Sequence, residues 1–250
     1  MLDYTTHSDN HWHLWLALNF YFSDMRYQRF IAFLFVVFLI LLGFHLNAMH
    51  LHFDQGADLK DWWVRKFDFT AEKNAPSIFS TALLFLAGVI LLWLSQIQKR
   101  LTGAFKMWMG LGLVFLFLAA DELLRIHEKL NGVFKDLEIA ETITYVWTIP
   151  YAIAGIVLLL MISKPLLQLP RDTFVRFAVA GFIFVFGAMG LELLAGSLIA
   201  NAEAGYQASW ELAVLSSIEE SLEMIGVILF IAALLRHKVK YMSQAAEQFL

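Results

Sequence analysis

Carboxylate and imidazole side chains interrupt three apolar stretches of this sequence of 250 residues. The first group closes the apolar run at residues 107–118 with the segment AADELLRIHEKL at 119–130. Glu192 stands inside a second run, and Glu219, Glu220 and Glu223 stand inside a third. An ionised side chain near lipid costs about 2.5–3.5 kcal/mol even on insertion scales. Each of these groups therefore needs a partner.

Carboxylates combined with imidazole are ligands for iron, manganese and zinc, whereas carboxylates alone suit calcium. We therefore predict a divalent metal site, with Fe, Mn, Zn or Ca as the candidate ions and no organic cofactor. The predicted ligands are Asp121, His127, Glu128, Glu192, Glu220 and Glu223, and His45 is a further nitrogen candidate. Glu220, Glu223 and Asp121 are the predicted catalytic residues.

The predicted site holds more acid than base. Arg125 and a protonated His127 are its only cations, and the acids are Asp121, Glu122, Glu128, Glu192, Glu219, Glu220 and Glu223. At about 100° per residue, Arg125 shares a helical face with Asp121 and Glu128, so a structural ion pair within one helix is its simplest role. His127 falls on another face of that helix. The remaining acids need protons or a bound cation.

The elements that must position these side chains are apolar helices. Hydrophobic residues make up 60% of the chain and charged residues 16%, against about 45–50% and about 25% in soluble domains. The apolar runs are long enough to cross a hydrocarbon core of roughly 30 Å. We predict an all-α, polytopic membrane protein: a bundle of six transmembrane helices with short interfacial helices.

The predicted spans are residues 30–46, 78–94, 104–120, 143–162, 174–200 and 212–235. Residues 1–29 are predicted to be an N-terminal interfacial segment, 30–235 the six-helix transmembrane domain, and 236–250 a cytoplasmic tail. The third span is predicted to continue as one helix through residue 130 and to end at Asn131-Gly132. Pro150 predicts a kink in the fourth span.

Lysine and arginine are concentrated at the N-terminus, in the second and fourth loops and at the C-terminus, which predicts that these segments face the cytoplasm. Both termini are therefore predicted to be cytoplasmic, in a cell (inner) membrane. At about 1.5 Å per residue, this orientation gathers His45, Asp121, Glu192 and the glutamates of 219–223 in the outer half. It predicts one outward-facing carboxylate and histidine site.

The chain has no cysteine, which excludes disulfides, iron–sulfur clusters and thiolate zinc sites. No basic tract favours nucleic acid. The predicted partners are the lipid bilayer, a lipidic small molecule and other membrane subunits. The main hypothesis is a metal-dependent membrane hydrolase or oxidoreductase acting on a lipidic substrate. Two alternatives stay open: an accessory or structural subunit of a membrane complex, and a proton-coupled transporter.

Overall fold

The computed structural model describes residues 9–71, 73–101, 103–134, 144–202 and 209–242, and within these ranges the chain forms helices and loops without strands. The all-α prediction is confirmed. The helices are α1 (Asp9–Met49), α2 (Trp62–Phe67), α3 (Ala75–Leu101), α4 (Lys106–Leu124), α5 (Ile126–Phe134), α6 (Thr148–Leu167), α7 (Arg171–Val185), α8 (Glu192–Ala200) and α9 (Trp210–His237). π-Helical turns follow α1 (His50–Asp54), join α7 to α8 (Phe186–Leu191) and follow α9 (Lys238–Met242).

Five helical segments in the described ranges are long and apolar enough to cross a membrane. They are Arg26–Asp54, Ala75–Arg100, Lys106–Leu124, Thr148–Leu167 and Arg171–Ala200. The predicted sixth span corresponds to α9, which is long enough at 28 residues. It is not among the five segments, because three glutamates interrupt its apolar sequence.

Large apolar side chains cover the outer surface of these helices. Leu160 and Met161 on α6 are 71% and 76% exposed, and Phe182 on α7 is 69% exposed. Soluble monomers rarely expose large contiguous apolar patches. These faces are compatible with a multi-pass membrane protein, in which lipid would cover them.

Helix α9 is the centre of the bundle. It packs against α1, α3 and α7, and Val227, Ile228, Ile231 and Leu234 in its second half are at most 2% exposed. Helices α3 and α4 pair closely beside it. The first half of α9 carries the glutamates, so the packed apolar core and the glutamates occupy different halves of one helix.

Two glycines allow the segment from α7 to α8 to approach α9. A Cβ on Gly226 would lie 2.8 Å from the backbone nitrogen of Phe184, and a Cβ on Gly187 would lie 3.1 Å from the carbonyl oxygen of Glu219. Only residues without a bulky side chain permit backbones this close. The contact holds the π-helical turn against α9 and leaves Glu192, the next residue, beside Glu219.

Residues 119–130 do not form one helix, which corrects the prediction. Helix α4 ends at Leu124 because Arg125 adopts the left-handed conformation, with φ 57° and ψ 49°. Helix α5 then begins at Ile126 and continues to Phe134, so the predicted helix end at Asn131-Gly132 is also wrong. Pro150 stands in the first turn of α6, where proline is tolerated, and the reason for predicting a kink there no longer holds.

Helix α1 runs without a break across the boundary that the sequence predicts at residues 29 and 30. The interfacial character of residues 1–29 and the cytoplasmic tail at 236–250 stay predictions. Parts of both segments, residues 1–8 and 243–250, lie outside the described residues.

Candidate functional site

The left-handed turn at Arg125 folds His127 back onto Asp121, whose side chain is buried. The backbone N–H of His127 donates to Asp121 Oδ1 at 2.8 Å, and the ring Nδ1 lies 3.0 Å from Asp121 Oδ2. An ionised carboxylate only accepts hydrogen bonds, so Nδ1 carries a proton and both Asp121 oxygens are engaged. In the neutral ring, Nε2 is then the unprotonated nitrogen.

This geometry contradicts the prediction that His127 lies away from the face of Asp121. That prediction counted about 100° per residue through a continuous helix, whereas Arg125 interrupts the helix. A left-handed conformation is uncommon for a residue other than glycine and costs of order 1–3 kcal/mol. The site therefore depends on a strained turn between its two central residues.

The His127 ring packs against Trp147, just before α6, with the ring centroids 4.9 Å apart. Trp147 Nε1 donates to Glu192 Oε1 at 3.2 Å. The backbone N–H of Trp147 donates to Asn131 Oδ1 at 3.1 Å, which ties α5 to the segment before α6. Trp147 thus connects the histidine of α5 to the carboxylate of α8.

Tyr151 extends this contact into α6. Its ring meets Trp147 edge-on, with the centroids 5.0 Å apart. Its hydroxyl is buried and lies near the Asp121 carboxylate, but it makes no hydrogen bond of normal geometry to a described residue. The Tyr151 hydroxyl is thus a further polar group beside the Asp121 carboxylate.

The acids of α4, α8 and α9 lie within electrostatic range of one another. Glu192 and Glu219 are within hydrogen-bonding reach, and two carboxyl groups form such a bond only by sharing a proton. Glu223 interacts with both of them and with Glu220 and Glu122. We name this group the carboxylate–histidine cluster; its members are Asp121, Glu122, His127, Glu192, Glu219, Glu220 and Glu223.

Arg125 forms its ion pair with Glu128, on the first turn of α5. The two side chains are 42% and 39% exposed, and ion pairs with this exposure contribute about 0–1 kcal/mol. The sequence predicts an ion pair for Arg125 within one helix, whereas the pair with Glu128 spans the left-handed junction between α4 and α5. Glu128 lies at the edge of the cluster, already beside a cation.

The field of the cluster acts on His127. Burial lowers the pKa of the His127 ring, but the hydrogen bond and charge of Asp121 and the charges of Glu192 and Glu122 outweigh burial, so its pKa lies above the usual value. Burial and then the charges of Glu192 and Glu219 likewise raise the pKa of Tyr145. The site therefore favours the protonated form of the His127 ring.

The side chains do not enclose an ion as they stand. In the part of the chain that the structure describes, no three His, Asp or Glu side chains are arranged to hold a metal ion. The predicted metal site, its ligands and its candidate ions therefore stay predictions. A bound ion would require its ligand side chains to move from the positions that they occupy in this structure.

His45 lies beside the first half of α9 but belongs to a different network. Its ring is fully buried, the Phe69 N–H donates to Nδ1 at 3.0 Å, and Nε2 lies 2.7 Å from Ser217 Oγ. Because Nδ1 accepts, Nε2 carries the proton and donates to Ser217. Neither nitrogen is left for a metal ion, so the geometry assigns His45 a structural role linking α1, α9 and the segment after α2.

Sequence reasoning did not include Trp147, Tyr151 or Asn131 in the site. Trp147 and Tyr151 lie at the start of α6 and Asn131 lies within α5, and no spacing rule connects Trp147 or Tyr151 with residues 119–130. Glu122 and Glu219 were counted among the acids but not among the ligands. The position of Glu219 beside Glu192 depends on the contacts of Gly187 and Gly226, which hydropathy does not reveal.

The fold and the site together define an all-α protein with several apolar helices, compatible with a multi-pass membrane protein, that carries a cluster of carboxylates and one histidine. Residues 27–238 match the family described as a domain of unknown function, DUF8692, and the chain belongs to that family. The match covers the whole carboxylate–histidine cluster. No curated protein and no solved structure matches the chain.

Proposed function

We propose that the chain is a six-span membrane protein whose carboxylate–histidine cluster binds a divalent metal ion in the outer half of the cell (inner) membrane. The unequal charge of the two ends of the bundle supports this orientation. Asp121 lies in the last turn of α4 and Glu192 begins α8, whereas Arg171 and Arg176 lie in the first half of α7 and Arg236 in the last turn of α9, at the opposite end of the bundle. Basic residues accumulate on the cytoplasmic side, so both termini would be cytoplasmic.

The observation that carries the metal proposal is the Asp121–His127 pair. Histidines that bind metal almost always donate their second ring N–H to a carboxylate or a carbonyl group. Asp121 accepts from Nδ1 of His127, which leaves Nε2 as a lone-pair donor among an excess of carboxylates. We assign Asp121 a positioning role, because both of its oxygens already accept hydrogen bonds.

The proposed ligands are His127 Nε2, Glu192 and Glu219, with Glu220 and Glu223 as further carboxylates. A nitrogen ligand combined with carboxylates favours iron, manganese or zinc over calcium, which takes oxygen ligands. Glu128 is assigned to Arg125 rather than to the ion. The bound metal would balance the negative charge that His127 and Arg125 do not neutralise.

We extend the proposal to the hydrolysis or oxidation of a lipidic substrate at this metal, with Glu220 and Glu223 as the catalytic carboxylates. A cavity of about 220 Å³ lies between α1, α9 and the segment around α2, and none of its lining residues belongs to the cluster. Ser216 lines it, one turn of α9 before Glu220, so a substrate would have to reach the cluster past this residue. A metal-bound water would be the nucleophile in the hydrolytic version.

Metal analysis of the purified full chain tests the proposal. The protein in detergent is stripped with chelator, loaded separately with Fe²⁺, Mn²⁺ or Zn²⁺, desalted and measured by plasma mass spectrometry. We expect about one equivalent of one of these ions in the wild type and loss of most of it in Glu192→Gln and Glu219→Gln. Glu211→Gln, an exposed change in the first turn of α9, is the matched control. Wild-type protein that retains no metal would contradict the proposal.

A second candidate, proton-coupled transport, is favoured by the proximity of the Glu192 and Glu219 carboxyl groups, because such a pair can hold a proton between them. Proton uptake into liposomes containing the protein, followed with a pH-sensitive dye, tests it. Uptake that Glu219→Gln abolishes and Glu211→Gln retains would support transport; no uptake above empty liposomes would exclude it. The accessory-subunit hypothesis stays a prediction, and co-purification of fixed partner subunits is its test.

A further inference from the structure

A groove of about 800 Å³ lies at the end of the bundle away from the carboxylate–histidine cluster, between α7, α9 and α1. Arg171, Arg176 and Arg236 line its charged part together with Asp172. Its apolar wall includes Val179, Ala180, Leu229 and Ala233. We name it the arginine groove. Its volume falls in the range of small-molecule sites, about 300–1,000 Å³.

The charged part of the arginine groove has an excess of positive charge. Its one carboxylate, Asp172, lies 3.2 Å from Lys240 Nζ and 3.7 Å from Arg236 Nε, and it also accepts a hydrogen bond from the Tyr241 hydroxyl. Arg171 and Arg176 are exposed, and neither forms an ion pair with another described residue. Asp172 is therefore already engaged, and the arginines keep donors for an external anion.

One of these donors is unusual. Arg236 Nε is buried and has no hydrogen-bond partner among the described residues, since its distance of 3.7 Å from Asp172 exceeds a hydrogen bond. The Arg236 side chain as a whole is 39% exposed and paired in charge with Asp172, but a donor atom that is buried without a hydrogen bond is unfavourable. An anion in the groove would supply that partner.

The groove changes from charged to apolar along both helices. Arg171 opens α7, and Val179 and Ala180 lie about 12–14 Å further along it at 1.5 Å per residue. Arg236 is in the last turn of α9, and Leu229 lies about 10 Å back along that helix. Headgroup charge followed by apolar depth is the order of groups in a phospholipid.

We propose that the arginine groove binds an anionic phospholipid. The headgroup phosphate lies on Arg171, Arg176 and Arg236, because guanidinium groups match phosphate oxygens with paired hydrogen bonds. An acyl chain follows Val179 and Leu229 past the small side chains of the wall. Basic pockets between transmembrane helices on the cytoplasmic side bind anionic headgroups in this way. The proposal rests on membrane insertion but not on the metal.

Native mass spectrometry of the full chain released from detergent tests the proposal. The probes are dioleoylphosphatidylglycerol, its neutral counterpart dioleoylphosphatidylcholine, and inorganic phosphate. We expect one phosphatidylglycerol to bind at concentrations at which phosphatidylcholine does not. The double variant Arg176→Gln/Arg236→Gln should weaken binding at least tenfold, and Val179→Trp, which fills the groove without changing charge, should also weaken it.

The double variant Arg65→Gln/Lys66→Gln, which removes two basic residues from the last turn of α2, is the charge-matched control and should bind lipid like the wild type. Equal binding of both lipids, or unchanged binding in the groove variants, would overturn the proposal. Competition by inorganic phosphate at lipid concentrations would show a free-anion site, and a groove-dependent dimer would show a protein contact; both also overturn it. Metal content is measured on the same samples, so that a failure of the lipid proposal can be distinguished from a failure of the metal proposal.

Discussion

Asp121 and His127 face each other across one left-handed residue, and two hydrogen bonds join them. One bond fixes the backbone of α5 relative to α4, and the other fixes the ring. The chain thereby sets both the position and the protonated nitrogen of the only histidine in the carboxylate–histidine cluster.

Replacing the acceptor should weaken the turn. We expect Asp121→Asn to lower the free energy of unfolding by about 1–3 kcal/mol, the usual cost of disturbing a buried hydrogen bond to a charged group. Thermal unfolding in detergent measures this. Asp54→Asn is the matched control, because Asp54 pairs with His50 at 2.6 Å but both side chains are more than half exposed. Equal effects of the two substitutions would contradict the account.

The stability of the metal-free protein should depend on the protonation of His127. Its pKa is raised in the folded state above the unfolded value of about 6.5, so the protonated ring stabilises the fold. That contribution is fully present below about pH 6.5 and disappears as the pH rises through the folded pKa. Unfolding in chelator across pH 5–9 measures it. His127→Gln should remove this part of the pH dependence. A variant with the same dependence of stability on pH as the wild type would contradict a stabilising role for the protonated ring.

The left-handed turn should tolerate glycine better than a branched residue. Arg125→Gly removes the ion pair with Glu128 but relieves the backbone, so its net effect on stability should be within about 1 kcal/mol. Arg125→Val loses the same ion pair and keeps the strain, and should cost about 1–3 kcal/mol more. Chemical denaturation of the two variants makes the comparison. A valine variant as stable as the glycine variant would show that the left-handed turn does not form in solution.

The prediction of long helices from apolar runs succeeds for a physical reason. A long apolar segment has few other ways to form the hydrogen bonds that its backbone N–H and C=O groups require. The turn at Arg125 could not be predicted in this way. Glycine or asparagine usually marks a left-handed helix end, and the sequence LLRIHE carries neither. The helical face predicted for His127 was therefore wrong, although the residue types indicated the correct segment.

The register of Glu192 was also beyond the sequence. The π-helical turn Phe186–Leu191 precedes it, and π-helical turns of this kind are frequent at functional sites, but nothing in FGAMGL marks one. The contact that places Glu192 beside Glu219 comes from Gly187 and Gly226 meeting the backbone of a neighbouring helix. Small residues indicate close packing in general, not which backbones meet.

Substitution of Gly226 tests that contact. The added methyl of Gly226→Ala would meet the backbone of Phe184 at 2.8 Å, so we expect a loss of about 1–3 kcal/mol as the helices separate. Gly155→Ala in α6 is the control, because its new Cβ meets nothing within 4 Å. There alanine should be neutral or stabilise the helix by up to about 1 kcal/mol. A Gly226→Ala variant as stable as the control would contradict the close approach of α7 and α9.

X-ray absorption spectroscopy of the zinc-loaded or manganese-loaded protein tests the central claim most directly. We expect a first coordination shell of nitrogen and oxygen at about 2.0–2.2 Å for zinc, together with outer-shell scattering from one imidazole ring. The imidazole scattering should disappear in His127→Gln and should become weaker or less ordered in Asp121→Asn, where the ring loses its orienting partner. A wild-type spectrum without imidazole scattering, or the same imidazole scattering in His127→Gln, would contradict the proposed metal site.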